Sequence, residues 1–278
     1  MPVSESTSVA LKATLSADQR KAAAALLRAN SSPTVAELGE LFTRAGHELA
    51  LVGGPVRDVF LGGRPKDLDL TTDAVPERVL EITRAWADKT WTVGIEFGTI
   101  GLRKGDEIFE ITTYRSEAYD RASRKPEVKY GTSLVADLER RDFTINAMAA
   151  RLPSFELVDP FGGLAALREK VIRTPGRPED SFSDDPLRIL RAARFSARLG
   201  FTVVGEVQAA MRDMASRLSI VSAERITDEL TKLMLTDMPE AGLDLLVTPT
   251  LAPLLRRRSP SAANWPASAP TCTGPMWP

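Results

Sequence analysis

Two aspartates one residue apart, Asp67 and Asp69, lie in the segment DLDL, which alternates polar and apolar residues as a strand does. Residues i and i+2 of a strand project to the same face, so the two carboxylates repel each other unless a cation lies between them. Mg²⁺ prefers hard oxygen ligands and commonly takes one or two carboxylates together with substrate phosphates. The pair therefore predicts a metal site, although so short a motif also fits a solvated acidic turn.

Two glycines, Gly53 and Gly54, precede the aspartates in the segment LVGGPVRDVFLGG. Glycines let backbone N–H groups approach a phosphate closely, and the N-terminus of a following helix favours an anion. Arg57, in the short helix predicted for PVRDVFL, adds a fixed cationic fork. These residues predict a triphosphate-binding turn, while the glycines alone also fit an ordinary tight turn.

A third acidic candidate is Glu110, which alternates with apolar residues in the segment IFEITTYR. If this strand neighbours the one with the aspartates, its carboxylate completes a two-metal site. An exposed strand position explains the pattern equally well. The mixed segment ERRDFTINAMA contains two further candidates, Arg141 and Asp142, as nucleotide-binding residues, and it is expected to form part of a helix over residues 136–150.

The segment DDPLRILRAARFSARLG predicts a helix that begins near Asp185 and carries four arginines, Arg188, Arg191, Arg194 and Arg198. Spacings of three, three and four residues keep all four on one side of a helix. Without acidic partners one turn away, such a row suits phosphates or a base edge. A solvated basic face is the alternative.

The composition limits the classes of function. The chain has 278 residues and a net charge of −1, so nucleic-acid contacts must come from local clusters. One cysteine, Cys272, rules out an intramolecular disulfide, and one histidine, His47, rules out a histidine-rich metal hydrolase site. No signal-peptide core or membrane-spanning stretch is evident, so we expect a cytoplasmic protein without membrane contact.

The elements that must position these residues change along the chain. Residues 16–176 alternate helices with short strands, which predicts an α+β head domain, and residues 177–250 predict an all-helical domain. The polar segment 115–135 is a long loop, and such loops are usually functional or mobile. Residues 1–15 are expected to be disordered because they are small, polar and unpatterned, and residues 251–278 because they are rich in Pro, Ser and Ala and have no period.

Taken together, the blocks resemble the class II CCA-adding tRNA nucleotidyltransferases and the related bacterial poly(A) polymerases. The resemblance extends over residues 48–246 and rests on six blocks in the same order: LVGGPVRDVFLGGRPKDLDLTT, EITTYR, RRDFTINAMA, DPFGGLAALREKVIRTPG, DDPLRILRAARFSARLGF and SAERITDEL. It implies a polymerase-β-like head with a small mixed sheet, followed by a helical neck. Asp184 departs mildly from the family, in which many members have glutamate.

The resemblance also implies roles for individual residues. Asp67 and Asp69 match the metal-binding pair, and Gly54 and Arg57 match triphosphate contacts. The remaining implied nucleotide contacts are Arg141, Asp185, Arg188, Arg191 and Arg194, of which Asp185 and Arg188 match the residues that read the incoming base. A carboxylate accepts from the amino groups of cytosine and adenine, and an arginine donates to ring acceptors on the same edge, so such a pair favours C and A.

The implied reaction is Mg²⁺-dependent attack of a tRNA 3′-hydroxyl on the α-phosphate of CTP or ATP, with release of pyrophosphate. The loop 115–135 resembles the flexible loop that helps the family to switch from C to A addition. Two alternatives stay open: poly(A) addition, and a non-catalytic nucleotide- or RNA-binding remnant. The resemblance fades after Leu246, and a truncated or frame-altered end is one hypothesis for this.

Overall fold

The computed structural model describes residues 15–65, 68–116, 129–131 and 133–246. Asp67 lies outside the described residues, and so do residues 1–14 and 251–278 of the ends expected to be disordered and most of the loop 115–135. The chain divides into two units, of which the first, here called the head, comprises residues up to Ser181 together with Phe201–Val207. The second, the helical unit, comprises Phe182–Gly200 and the residues from Gln208 onward.

Helices and short strands alternate through the first two thirds of the chain and helices dominate thereafter. In chain order they are α1 Ala17–Ala29, α2 Pro33–Arg44, β1 Leu49–Val52, α3 Gly54–Phe60, β2 Leu68–Thr72, α4 Pro76–Thr83, β3 Lys89–Trp91, β4 Thr99–Lys104, β5 Glu107–Thr113, β6 Arg115–Ser116, β7 Lys129–Tyr130, α5 Leu134–Glu139, β8 Ala149–Leu152, β9 Glu156–Val158, α6 Gly163–Glu169, β10 Val171–Ile172, α7 Pro178–Asp184, α8 Arg188–Leu199, β11 Thr202–Val203, α9 Gly205–Asp213, α10 Ala223–Met234 and α11 Pro239–Leu246.

The main sheet of the head has, among the described residues, seven strands in the order β3-β4-β5-β2-β1-β8-β9. The pairing of β2 with β5 is parallel, whereas the other neighbours in this sheet are antiparallel. A mixed sheet among helices confirms the predicted α+β class. Strand β1, which lies between β2 and β8, is buried throughout, which explains why its sequence LALV is entirely apolar.

The first helix shows how local sequence fixes an element. Ser16 accepts a hydrogen bond from the backbone N–H of Gln19 at 3.2 Å, and the Gln19 side chain accepts one from the N–H of Ser16 at 2.8 Å. This reciprocal pair is a capping box, which satisfies two donors that the first helical turn leaves unpaired. Ala23 and Leu27, one turn apart, are the buried residues of the helix.

The helix predicted over residues 136–150 is wrong beyond Glu139. Helix α5 ends there, a 3₁₀ turn follows at Thr144–Asn146, and Ala149–Leu152 form strand β8 between β1 and β9. Alanine favours a helix locally, but Ala149 and Ala150 are fully buried in the sheet, and the burial there outweighs a preference of a few tenths of a kcal/mol per residue.

The helical unit packs α8 against α10 and α11. Gly242 in α11 permits this close approach, because a Cβ there would lie 2.5 Å from a side-chain carbon of Leu233 and 2.7 Å from the carbonyl oxygen of Ala193. Within the described parts of both units, none of the helices is both long and apolar enough to cross a membrane.

Candidate active site

Two carboxylates lie opposite each other on neighbouring strands of the head. Asp69 in β2 is the register partner of Glu110 in β5, and both residues are exposed while their neighbours along each strand are mostly buried. Directly opposed residues project to the same face, about 5 Å apart at their Cβ atoms. The condition set by the sequence, that the strand with Glu110 should neighbour the strand with Asp69, is therefore met. The roles of these residues in metal binding stay predictions.

The donors on this face fit a hard cation. Asp69 and Glu110 offer only oxygen atoms, and Mg²⁺ takes such ligands without needing nitrogen or sulfur. Across the described ranges, no three histidine, cysteine, aspartate or glutamate side chains form a ready-made metal site. Asp67, the third predicted carboxylate, is outside those ranges.

The glycine turn predicted to hold phosphate connects β1 with α3. Gly53 has φ +71°, a conformation that favours glycine, and its N–H donates to the carbonyl oxygen of Met148 at 3.1 Å. A Cβ at Gly53 would also lie only 3.1 Å from Nη1 of Arg141. Glycine is therefore required here for backbone shape and for the close approach of an arginine, and Gly54 then begins α3.

Arg57 is buried, with 3% of its surface exposed, and is held by two side chains. Its Nη1 donates to Oδ1 of Asn146 at 2.6 Å and its Nε donates to Oδ1 of Asp58 at 2.8 Å. Asn146 in turn donates through Nδ2 to Oδ1 of Asp142 at 3.0 Å, and Asp142 also accepts from the N–H of Phe143. Arg57 and Asp142, both predicted to bind nucleotide, thus belong to one buried hydrogen-bond network.

Arg141 joins the glycine turn to the sheet. Its Nη2 lies 3.3 Å from Oδ2 of Asp137, which also accepts from Oγ1 of Thr71 at 3.4 Å. Thr71 follows Asp69 by two residues in β2 and so shares its face. Because Asp137 holds one nitrogen of the guanidinium and the other lies against Gly53, the position of Arg141 is fixed beside the predicted phosphate turn.

Sequence reasoning missed two residues of this network, Asn146 and Asp137. Asn146 lies in a 3₁₀ turn and links Arg57 to Asp142. The signal for it was present, since a polar residue between the fully buried Ile145 and Ala147 must find a hydrogen-bond partner. Asp137 gave no comparable signal, because it lies in a segment that is rich in charges throughout.

The helical unit contains the residues predicted to read the base. Asp185 lies just before α8, where its Oδ1 accepts from the N–H of Leu187 at 3.1 Å and its Oδ2 pairs with Nη2 of Arg225 at 2.9 Å. Arg188 begins α8 and is half-buried. The carboxylate of Asp185 is therefore oriented by one backbone and one side-chain donor within its own unit.

The arginine row of α8 differs from the expected basic face. Arg194 is buried, and its Nε donates to Oε2 of Glu229 in α10 at 2.6 Å. Arg191 lies 3.5 Å from the other oxygen of Glu229, whereas Arg198 is exposed. The Arg194 guanidinium also lies 4.4 Å from the ring centroid of Phe195. The acidic partner that is absent from the helix itself comes from a second helix, so these arginines are not uniformly available to a ligand.

A half-buried acid in the head lies just before helix α6. Asp159, in the segment DPFGG, accepts hydrogen bonds from the N–H groups of Gly163 at 2.6 Å and Leu164 at 2.9 Å and so starts α6. Burial raises the pKa of this carboxyl, and the backbone donors oppose that shift. The residue is tied to helix architecture, which explains why its segment has a recognisable pattern without carrying a reactive group.

Comparison with known proteins finds a matching family for two parts of the chain. Residues 49–173 match the family described as the poly A polymerase head domain, and residues 200–256 match the probable RNA and SrmB-binding site of polymerase A. The chain is 42% identical over 208 residues to the CCA-adding enzyme of Bacillus subtilis, which corresponds to 74% of this chain and 51% of that relative. It is 39% identical to the CCA-adding enzyme of Listeria monocytogenes over 74% of this chain and 51% of the relative.

Solved structures give the same result. The Bacillus stearothermophilus CCA-adding enzyme in complex with CTP is similar with a TM-score of 0.71 and 35% identity, covering 80% of this chain and 53% of that one. The Thermotoga maritima CCA-adding enzyme complexed with tRNA is similar with a TM-score of 0.68 and 30% identity, covering 80% and 52%. The chain spans about half the length of the curated relatives it matches. By its head, its helical unit and its relatives, the chain belongs to the poly A polymerase head domain family that includes the CCA-adding enzymes.

Proposed function

We propose that this chain is a tRNA nucleotidyltransferase, which adds C and A from CTP and ATP to the 3′ end of tRNA without a nucleic-acid template. The observation that carries the proposal is the register of β2 and β5, which sets Asp69 against Glu110 on one face of the sheet. The fixed cations Arg57 and Arg141 beside the Gly53 turn supply a place for phosphates in the same unit. The tRNA, CTP and ATP bound by relatives are the expected substrates.

In the proposed reaction, the RNA 3′-hydroxyl oxygen forms a bond to the α-phosphorus of the nucleotide while the bond to the β-phosphate oxygen breaks. Asp67, Asp69 and Glu110 would hold Mg²⁺, which supplies charge neutralisation on the phosphates when bound. Arg57 and Arg141 bind the triphosphate oxygens, and Glu110 accepts the proton of the attacking hydroxyl. Pyrophosphate leaves.

The helical unit has the recognition role in this proposal. Asp185 accepts from the amino group that cytosine and adenine share, and Arg188 donates to the ring acceptors next to it. Guanine and uracil present a carbonyl where Asp185 needs a donor, so they are disfavoured. Because tRNA and nucleoside triphosphates are found in the cytoplasm, that is the compartment we propose.

An incorporation assay tests this function. The purified chain is given Mg²⁺, single labelled nucleotides and tRNA transcripts ending before the first C, the second C or the A. We expect two additions from CTP, one from ATP on the CC-ending transcript, and none after EDTA. Long A-tails from ATP on unrelated RNA would replace this assignment with poly(A) addition. Nucleotide binding without any incorporation would show a non-catalytic chain.

A further inference from the structure

A row of four residues crosses four adjacent strands of the head. Asp69 in β2 opposes Glu110 in β5, Glu110 opposes Gly101 in β4, and Gly101 opposes Trp91 in β3. Opposed residues project to the same face of a sheet. The indole of Trp91 therefore shares its face with the two carboxylates, with only a glycine between Trp91 and Glu110 along the row.

The indole covers that glycine. A Cβ at Gly101 would lie 1.9 Å from Nε1 of Trp91 and 2.1 Å from Cε2, so only glycine leaves room for the ring. The ring thereby extends from β3 over β4, in the direction of Glu110 on β5. It spans the distance of about 4.8 Å that separates neighbouring strands. Trp91 is half-buried, and two exposed apolar residues, Val93 and Phe97, follow it in the connection to β4.

The geometry of an in-line displacement indicates which part of the substrates approaches Trp91. An in-line displacement needs the attacking oxygen and the leaving pyrophosphate on opposite sides of the α-phosphorus. The phosphate turn at Gly53 follows β1, which lies on one side of β2, whereas β5, β4 and β3 lie on the other. With the leaving group on the β1 side, the RNA end that carries the hydroxyl would extend over Glu110 and Gly101 to Trp91.

We propose that the face of the Trp91 indole is a stacking platform for the 3′-terminal base of the RNA, an inference that rests on the function proposed above. Stacking on an aromatic ring contributes about 1–3 kcal/mol per base and tolerates every base, because each has a π-face. That tolerance suits a primer whose last base changes after each addition. A hydrogen-bonding contact at the same place would select one terminal base and stop the sequence of additions.

Steady-state kinetics with a tRNA that lacks CCA tests the platform. Trp91→Ala is expected to raise the KM for RNA about tenfold while the KM for CTP stays within about twofold. Trp91→Phe keeps a ring and is expected to restore most of the affinity for RNA. An unchanged KM for RNA in Trp91→Ala would overturn the proposal. A rise in the KM for CTP instead would also overturn it, because the ring would then contact the incoming nucleotide.

Two further variants separate the platform from general damage to the fold. Gly101→Ala leaves Trp91 in the chain but forces the indole from its place, so it should raise the KM for RNA as Trp91→Ala does. Trp86→Ala removes an indole from the other face, where Trp86 packs edge-to-face on Phe109 with centroids 5.4 Å apart. It is expected to lower stability with little effect on the KM for RNA. Circular dichroism is used to check that each variant is folded.

A binding measurement distinguishes failure of the platform from failure of the proposed function. Single-stranded RNA with a free 3′ end should quench part of the tryptophan fluorescence of the wild-type chain, and this part should be absent in Trp91→Phe. Quenching without nucleotide incorporation would leave the platform standing and remove the proposed function. Nucleotide incorporation together with equal quenching in the wild-type chain and in Trp91→Phe would support the proposed function and rule out the platform.

Discussion

The pair of exposed acids in the head contrasts with the buried ion pair in the helical unit. In the head, the like charges of Asp69 and Glu110 lie next to each other on an exposed face. In the helical unit, Glu229 and Arg194 have opposite charges and are both buried. Neighbouring like charges repel each other and attract a cation, whereas a buried ion pair destabilises the fold if either partner is lost. The two acids predicted to act in catalysis are thus exposed on the sheet, whereas Glu229 is paired inside the helical unit.

The largest effect is expected from Asp69→Asn. Loss of one charge from the carboxylate face should lower kcat for nucleotide incorporation by about 1,000-fold, of the order seen when one transition-state contact is removed. Circular dichroism checks that the variant is folded. Glu156→Gln, an exposed acid on β9 of the same sheet, is the control and should keep full activity. Full activity in Asp69→Asn would show that the metal assignment is wrong.

A large loss of stability is expected from Glu229→Ala. Removal of Glu229 takes away the carboxylate that pairs with the buried Arg194, which should lower the free energy of unfolding by about 3–5 kcal/mol in a denaturant titration. The neighbouring Asp228→Ala breaks only an exposed pair with Lys232 and should cost less than about 0.5 kcal/mol. Equal losses in the two variants would remove the distinction between architectural and surface charge.

A moderate effect is expected from Gly53→Ala. The positive φ and the nearby Arg141 should together cost about 1–3 kcal/mol of unfolding free energy, and incorporation should fall as the phosphate turn shifts. Gly176→Ala has no atom within 4 Å of the added carbon and no positive φ, so it should change neither property. If Gly53→Ala behaves like Gly176→Ala, the turn does not depend on glycine.

The smallest effect is expected from Arg225→Ala. Its pair with Asp185 is partly exposed, and such pairs contribute less than about 1 kcal/mol. The N–H of Leu187 still orients Asp185, so the preference for CTP and ATP over GTP and UTP should change by no more than about threefold. A collapse of this preference, measured by incorporation of each nucleotide, would show that Arg225 and not the backbone sets the geometry of Asp185.

The sequence predicted the kinds of residue at the site better than their partners. Alternation in DLDL and IFEITTYR predicted strands that carry acids, and those strands formed where expected. Their parallel pairing depends on how the whole sheet assembles, which no local pattern records. The role of Glu229 was not predicted for the same reason, since it contacts Arg194 from another helix. The position of Trp91 likewise depends on strand register, which places it opposite Gly101.

The pairing of β2 with β5 also has a consequence for the order in which the chain folds. Thr71 and Thr112 meet across 41 positions, so the chain must close a long loop before the two carboxylates face each other. A slip of one residue would turn Glu110 to the opposite face. Activity should therefore return late during refolding, after helix formation is complete, and a partly folded chain should contain helices but transfer nothing.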